Sequence, residues 1–336
     1  RRASGAGHRT GQLADGVLLK AGTFRGATLL SGAVMGPGAH VRPGTLLEEQ
    51  AECGHTVGLK QTLLMPFVVT GSLVNFCDCL MAGGTSRRDH SEVGSSYVHF
   101  NYTPHQDKAT ASLVGDVPHG VRLDQRPIFL GGQGGLVGPC RIAFGTVIAA
   151  GTICRHDVLT PGRLVMGGGH RQREIPYDPR CYGDVSRIVR NNLLYAGNLQ
   201  ALAEWYRHVR PRLMPDDPFS EACRLGAEAQ LAAMLRERTR RLGQLAAQLA
   251  DAPGGPADAV QQRFVRAWPA IEEHLGQAPP ADLGAAHREA LLAALPATET
   301  PYIEAIAALG PAPRECATRW LQAVVDRVEA AWTAGA

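Results

Sequence analysis

Arg42 and Lys60 stand eighteen residues apart in RPGTLLEEQAECGHTVGLK, and both side chains suit an anion. A guanidinium presents a planar fork to phosphate oxygens, and an ammonium adds a compact charge. Lys60 carries extra weight because the chain has only three lysines, the others being Lys20 and Lys108. A second stretch, SSYVHFNYTPHQDK, gathers His99, Asn101, Tyr102 and Lys108. Imidazole exchanges protons near neutral pH, which suits it to act on an amine. The plain alternatives are a solvated Arg and Lys with no ligand, and one histidine among 12. GDVPHGVRLDQRP adds Asp116, His119, Arg122 and Arg126, which could line a polar site or bridge neighbouring segments. The eight cysteines form no CxxC pair and no zinc spacing, so no metal is expected, and reduced thiols in a cytoplasmic protein are the ordinary reading.

These side chains need a scaffold, and the apolar residues supply one. Val17, Thr23, Leu29, Met35, Val41, Leu47, Cys53 and Leu59 recur at a step of six, as do Leu130, Leu136, Ile142, Ile148 and Cys154. A step of two would be an ordinary strand and 3.6 a helix. Six fits three short strands closing a triangular coil of about 18 residues, with one inward side chain per strand and small residues at the corners. The expected fold is mainly β: a left-handed parallel β-helix over 16–160, after a flexible N-terminus at 1–15. Arg42 and Lys60 then stack one coil apart on one corner. Around 62–128 the period blurs. MPFVV, TSRRDH and NYTPHQDKA read as loops ejected from the coils, where binding residues gather. A decayed, purely structural coil is the alternative.

Residues 161–183 read as an extended linker, since Pro176 and Pro179 exclude helix. From 184 to 336 the composition turns to Ala, Leu, Arg and Glu, and an α-helical domain is expected. Its long helix, about 220–249, stops at DAPGGPAD, and further amphipathic segments follow. This domain could cover the open end of the β-helix or extend an oligomer. A net charge of +3 does not argue for nucleic acid, and no apolar run is long enough to span a membrane. The start lacks an apolar signal-peptide region and an initiator Met, as expected of a processed chain or a piece of a longer one.

The stretch from Val41 to about Val158 resembles the β-helical acetyltransferase domain of the bacterial bifunctional enzymes that make UDP-N-acetylglucosamine. Those enzymes join a glucosamine-1-phosphate acetyltransferase to an N-acetylglucosamine-1-phosphate uridyltransferase, whose domain has no counterpart in these residues. The resemblance implies that Arg42 and Lys60 hold a sugar phosphate. It places the catalytic base at His99 with Tyr102 three residues on. An alternative register instead matches Asn101 and Tyr102 to a later turn, followed by Lys108, and leaves His90 as a substitute base. PIFLGGQGGLVGPCRIAFGTVIAAGT resembles the last regular coils, so Gly132 and Ala150 are implied to touch acetyl-CoA or another acyl-CoA. The activity implied is N-acyl transfer to an amino sugar phosphate or nucleotide sugar, in a homotrimer whose sites lie between prisms. A non-catalytic β-helix that binds or scaffolds such sugars is the alternative.

Overall fold

The computed structural model describes residues 2–3, 6–167, 174, 178, 181–296 and 300–333. A left-handed parallel β-helix leads, and a helical domain follows. The first wall of the prism is a parallel sheet of two-residue strands running from Arg2–Ala3 through Leu18–Leu19, Val34–Met35 and Glu52–Cys53 to Leu164–Val165. The second and third walls share one sheet. Long strands such as Gly58–Leu64 and Asn75–Met81 bend across the corner between them.

Inward side chains stack in columns, coil upon coil. Leu19, Met35, Cys53, Thr70 and Val93 fill the first wall. Phe24, Val41, Leu59 and Phe76 fill the second, and Leu29, Leu47, Leu64 and Met81 the third. Val41, Leu47, Cys53 and Leu59 therefore do share one interior, on successive walls. Thr23 does not. It faces out, and its neighbour Phe24 is the buried residue, because the step from Leu19 to Phe24 is five.

The same five-residue step recurs from Leu59 to Leu64 and from Phe76 to Met81, and it explains most of the blurred period. MPFVV is not an ejected loop: Val69–Thr70 is a first-wall strand paired on both sides. True insertions occupy about 83–90, 101–111 and 115–128, and the last contains the short helix α1 (Val117–Gly120). Two boundaries also shift. Residues 6–13, expected in a flexible terminus, form a strand paired along its length with Gly22–Leu29. Leu164–Val165, expected in the linker, pairs with Val147–Ile148 and belongs to the β-helix. Most of the expected linker, including Pro176 and Pro179, lies outside the described residues.

The helical domain comprises α2 (Ser186–His208), α3 (Arg210–Leu213), α4 (Pro218–Ala250), α5 (Ala259–Gly276), α6 (Ala285–Ala293), α7 (Tyr302–Ala307) and α8 (Pro311–Thr333). It lies along the side of the prism, not over its end. Helix α2 packs on α8 and α4, and α4 packs on the third-wall strands Gly22–Leu29 and Thr45–Leu47. The third wall's outward column, Thr28, Leu46, Leu63, Leu80 and Leu113, is buried beneath it. Gly226 permits the close approach, because a Cβ there would sit 2.3 Å from Gln12 Oε1.

Two buried arginines lock the halves together. Arg210 reaches Glu48 at 2.8 Å and also pairs with Glu49, with its guanidinium 3.5 Å over the Tyr302 ring. Arg238 of α4 reaches Asp78 at 2.7 Å. Among the described residues, no helix is long and apolar enough to cross a membrane.

Candidate functional site

The second wall ends in an outward column formed by the residue that follows each inward one. Arg42 follows Val41, Lys60 follows Leu59 and Cys77 follows Phe76, with Lys60 and Cys77 in direct register. The repeat thus stacks Arg42, Lys60 and Cys77 on one edge, as the eighteen-residue spacing of the two cations implied. Arg42 donates from Nη2 to the Cys77 sulfur at 3.2 Å, and its buried Nε has no partner. Among the described residues neither Arg42 nor Lys60 pairs with a carboxylate. Burial raises the Cys77 thiol above its ordinary value, and the nearby Arg42 charge opposes that rise. The thiol is therefore neutral near pH 7, and the corner keeps its positive charge.

The corner beside this column is backbone-strained in a regular way. Gly26, Gly44, Gln61 and Asp78 each precede the third wall in successive coils, and all have positive φ. Asp78, at φ 63° and 4% exposed, takes a position that Gly holds two coils earlier. Such a conformation is disfavoured for a side-chain-bearing residue, and Asp tolerates it better than most. Its carboxylate accepts from Arg238 at 2.7 Å and from Asn101 Nδ2 at 3.2 Å. Asn101 opens the 101–111 insertion, which also carries Lys108, half-buried, and Tyr102, 73% exposed. The result is an edge with two cations and, tied beside it through Asp78, the Asn101 amide, an arrangement suited to a phosphate.

His99 is elsewhere. Asn75 pairs with Val98, so His99 continues the inward column of Phe76, and the structure contradicts its reading as an accessible base. It is 2% exposed. Nδ1 lies 2.6 Å from the Cys77 carbonyl, which can only accept, so Nδ1 carries the hydrogen. Nε2 then accepts from the Ser112 hydroxyl at 2.7 Å, and that oxygen accepts from the Cys140 amide at 2.9 Å. Burial lowers the imidazole to about 4, against opposing contributions from Asp78 and the Cys77 carbonyl. Both nitrogens are spent inside the prism. The parity of the repeat decided this: two residues past Tyr97, itself buried, the chain points inward again.

Gly132 and Ala150 stack on one another, as Leu130 pairs with Ile148, but at the corner between the first and second walls. The second wall therefore separates them from Arg42 and Lys60 within one chain. His90, the substitute base, sits in the 83–90 insertion with Nδ1 3.0 Å from the Arg87 carbonyl and Glu92 beyond it. That is the first-wall side, away from the cations. In the 115–128 insertion Asp116 caps α1 and bonds His119, while Arg122 bonds Asp124 and reaches Thr318 of α8. Arg122 thus bridges the insertion and the helical domain, while the Asp116–His119 contact stays inside the insertion. Arg126 runs across Gly145 and Gly162 at the corner between third and first walls. No group of ligands suited to a metal ion occurs among the described residues.

Asp78 and Arg238 were not singled out in the sequence. An acid where earlier coils carry Gly26 and Gly44 was the available signal for Asp78. Arg238 sits in a helix with several other arginines, and nothing in its spacing distinguishes it.

No protein-family model matches the chain. Curated relatives do. The chain is 30% identical over 167 residues to the bifunctional protein GlmU of Pseudomonas fluorescens, which covers 48% of the chain and 32% of that protein. It is 26% identical over 158 residues to GlmU of Nitratidesulfovibrio vulgaris, covering 47% of the chain and 30% of that protein. The resemblance is to GlmU, over about half of this chain. The chain thus spans about a third of the length of these relatives. Among solved structures, the UDP-N-acetylglucosamine acyltransferase from Campylobacter jejuni is 13% identical, with a TM-score of 0.25, over 48% of this chain and 70% of that one. LpxA from Acinetobacter baumannii is 12% identical, with a TM-score of 0.22, over 67% and 93%.

Proposed function

We propose that the β-helix is an acyl-CoA-dependent N-acyltransferase for an amino sugar phosphate or nucleotide sugar. The observation that carries this reading is the pair Arg42 and Lys60, stacked on one edge with no carboxylate on either among the described residues. Similarity to GlmU over about half of the chain supports it. In this reading the two cations hold the phosphate, and Asn101, Tyr102 and Lys108 border the sugar. The amine attacks the thioester carbonyl, the carbon–sulfur bond breaks, and the proton lost by nitrogen balances the one gained by the CoA sulfur. His99 does not collect that proton from inside the prism. The amine enters neutral or gives its proton to water. Gly132 and Ala150 serve an acyl-CoA only from a second copy, because they face another corner, so this reading requires an oligomer, and a homotrimer closes such sites symmetrically. Free cysteines and a CoA co-substrate fit a cytoplasmic setting.

The experiment is release of free thiol from acetyl-CoA with a panel of amino sugar phosphates and amino nucleotide sugars. Release that saturates with one of them, and a KM for it raised at least about tenfold in Lys60→Gln, is expected from the loss of a charge-assisted contact. A second reading, a sugar-binding scaffold without catalysis, is favoured by the sealed position of His99. Binding without thiol release supports that alternative.

A further inference from the structure

The 101–111 insertion carries three of the residues assigned above to the ligand, yet the coils hold it only at its ends. Tyr182, whose hydroxyl donates to Asp107 at 2.9 Å and whose ring stacks on His105, holds its middle, and the helical domain does the rest. Arg238, 1% exposed on α4, donates through Nη2 to Asp78 and through Nη1 to the Lys108 carbonyl at 3.3 Å. Asp78 in turn holds Asn101. One guanidinium therefore ties both ends of the insertion to the cationic corner. Ten residues along α4, Gln248 donates to the His105 carbonyl at 2.8 Å, and Asn192 of α2 donates to the Ala109 carbonyl at 3.0 Å. Lys108 is held at φ 54°, a conformation that a loop without anchors would leave.

We propose that Arg238 is a positioning residue which, from the helical domain, fixes the 101–111 loop in its ligand-binding shape. The helical domain is then part of the binding site and not only a cover for the third wall. This rests on the reading of the corner as a sugar phosphate site. Arg238 touches no ligand; it acts through Asp78, Asn101 and the Lys108 carbonyl. A planar fork suits this task because it bonds a carboxylate and a carbonyl at once, which a lysine ammonium in the same place does less well.

The test is amide hydrogen exchange and sugar phosphate binding in Arg238→Gln and Arg238→Lys, with glucosamine-1-phosphate as the probe. In Arg238→Gln, amides of 101–111 are expected to exchange about tenfold faster or more, while those of 58–64 stay protected, as loss of a charged hydrogen bond implies. The dissociation constant is expected to rise in parallel, with kcat of any thiol release less affected. Arg238→Lys restores part of both. Should Arg238→Gln fail to fold, Gln248→Ala leaves the ion pair intact and is expected to change loop exchange and binding in the same direction by a smaller factor. Loop exchange that does not rise, or that rises together with 58–64, overturns the proposal, as does a loosened loop with unchanged affinity. If the unsubstituted chain binds no sugar phosphate, the corner reading falls, and the exchange measurement still decides whether Arg238 fixes the loop.

Discussion

The first and third walls are built on the same repeat, and their outward columns have opposite surroundings. On the first wall Val34, Glu52, Val69 and Glu92 are half-exposed and mix apolar with acidic residues. On the third, Leu46, Leu63, Leu80 and Leu113 are buried under α2 and α4. The inward columns of the two walls are alike. The difference shows that the six-residue period reports only what faces the interior. What a wall shows the outside is written in the neighbouring position, and on the third wall that position makes the coil two-sided. Polar contacts follow the same division: Arg210 and Arg238, both buried, meet carboxylates at or beside the third wall.

The comparison breaks most sharply at Arg210. Arg210→Met leaves Glu48 and Glu49 buried without their cation, expected to cost about 3–5 kcal/mol in chemical denaturation. Burial already raises Glu48 above its ordinary value, and Arg210 opposes this. A carboxyl raised in the folded state favours stability at low pH and loses it as pH rises. The variant should therefore regain stability as pH falls toward the ordinary glutamate value of 4.5, narrowing its gap from the unsubstituted chain.

Leu63→Ala should cost about 2–5 kcal/mol, as for a residue buried on an inner face. Val69→Ala, facing outward on the first wall, should cost less than about 1 kcal/mol. Equal costs in denaturant titrations would erase the distinction between the walls.

His99 tests the interior that both walls share. Its imidazole is lowered to about 4 from 6.5, so the fold favours the neutral ring. That contribution is present above pH 6.5 and is lost as pH falls toward 4, about 3 kcal/mol in all. Stability against pH for the unsubstituted chain and His99→Leu measures it, because the variant lacks this slope. A His99 resonance titrating near 6.5 would place the ring in solvent.

The smallest effect concerns thiols. Cys223 lies on α4 at the buried interface, and Cys53 lies inside the prism with its thiol pushed up to about 12 by burial. If helices and coils melt together, both become open to alkylation at the same denaturant concentration. In Arg210→Met, Cys223 should react first. Mass spectrometry of the labelled peptides reads the order.

The prism was legible because Leu130, Leu136, Ile142, Ile148 and Cys154 keep strict spacing, and all five are buried. The side docking was not, although its trace is present. Leu46–Leu47, Leu63–Leu64, Leu80–Met81 and Leu113–Val114 are apolar doublets, one member facing in and the other out. Counting one residue in six passes over the second member. The stacking of Arg42 and Lys60 was legible because their spacing is one coil. His99 was misplaced because motif similarity does not fix parity once five-residue steps and insertions have moved the phase. Arg238 is far from its partners in sequence, and only the folded chain brings it to Asp78.

The corner itself is tested by calorimetric titration of glucosamine-1-phosphate and UDP-N-acetylglucosamine into the unsubstituted chain, Arg42→Gln and Lys60→Gln. The account predicts saturable binding of at least one of them, weakened about tenfold or more by each substitution and by added salt. Affinity that survives both substitutions, or no binding of either compound, would contradict it.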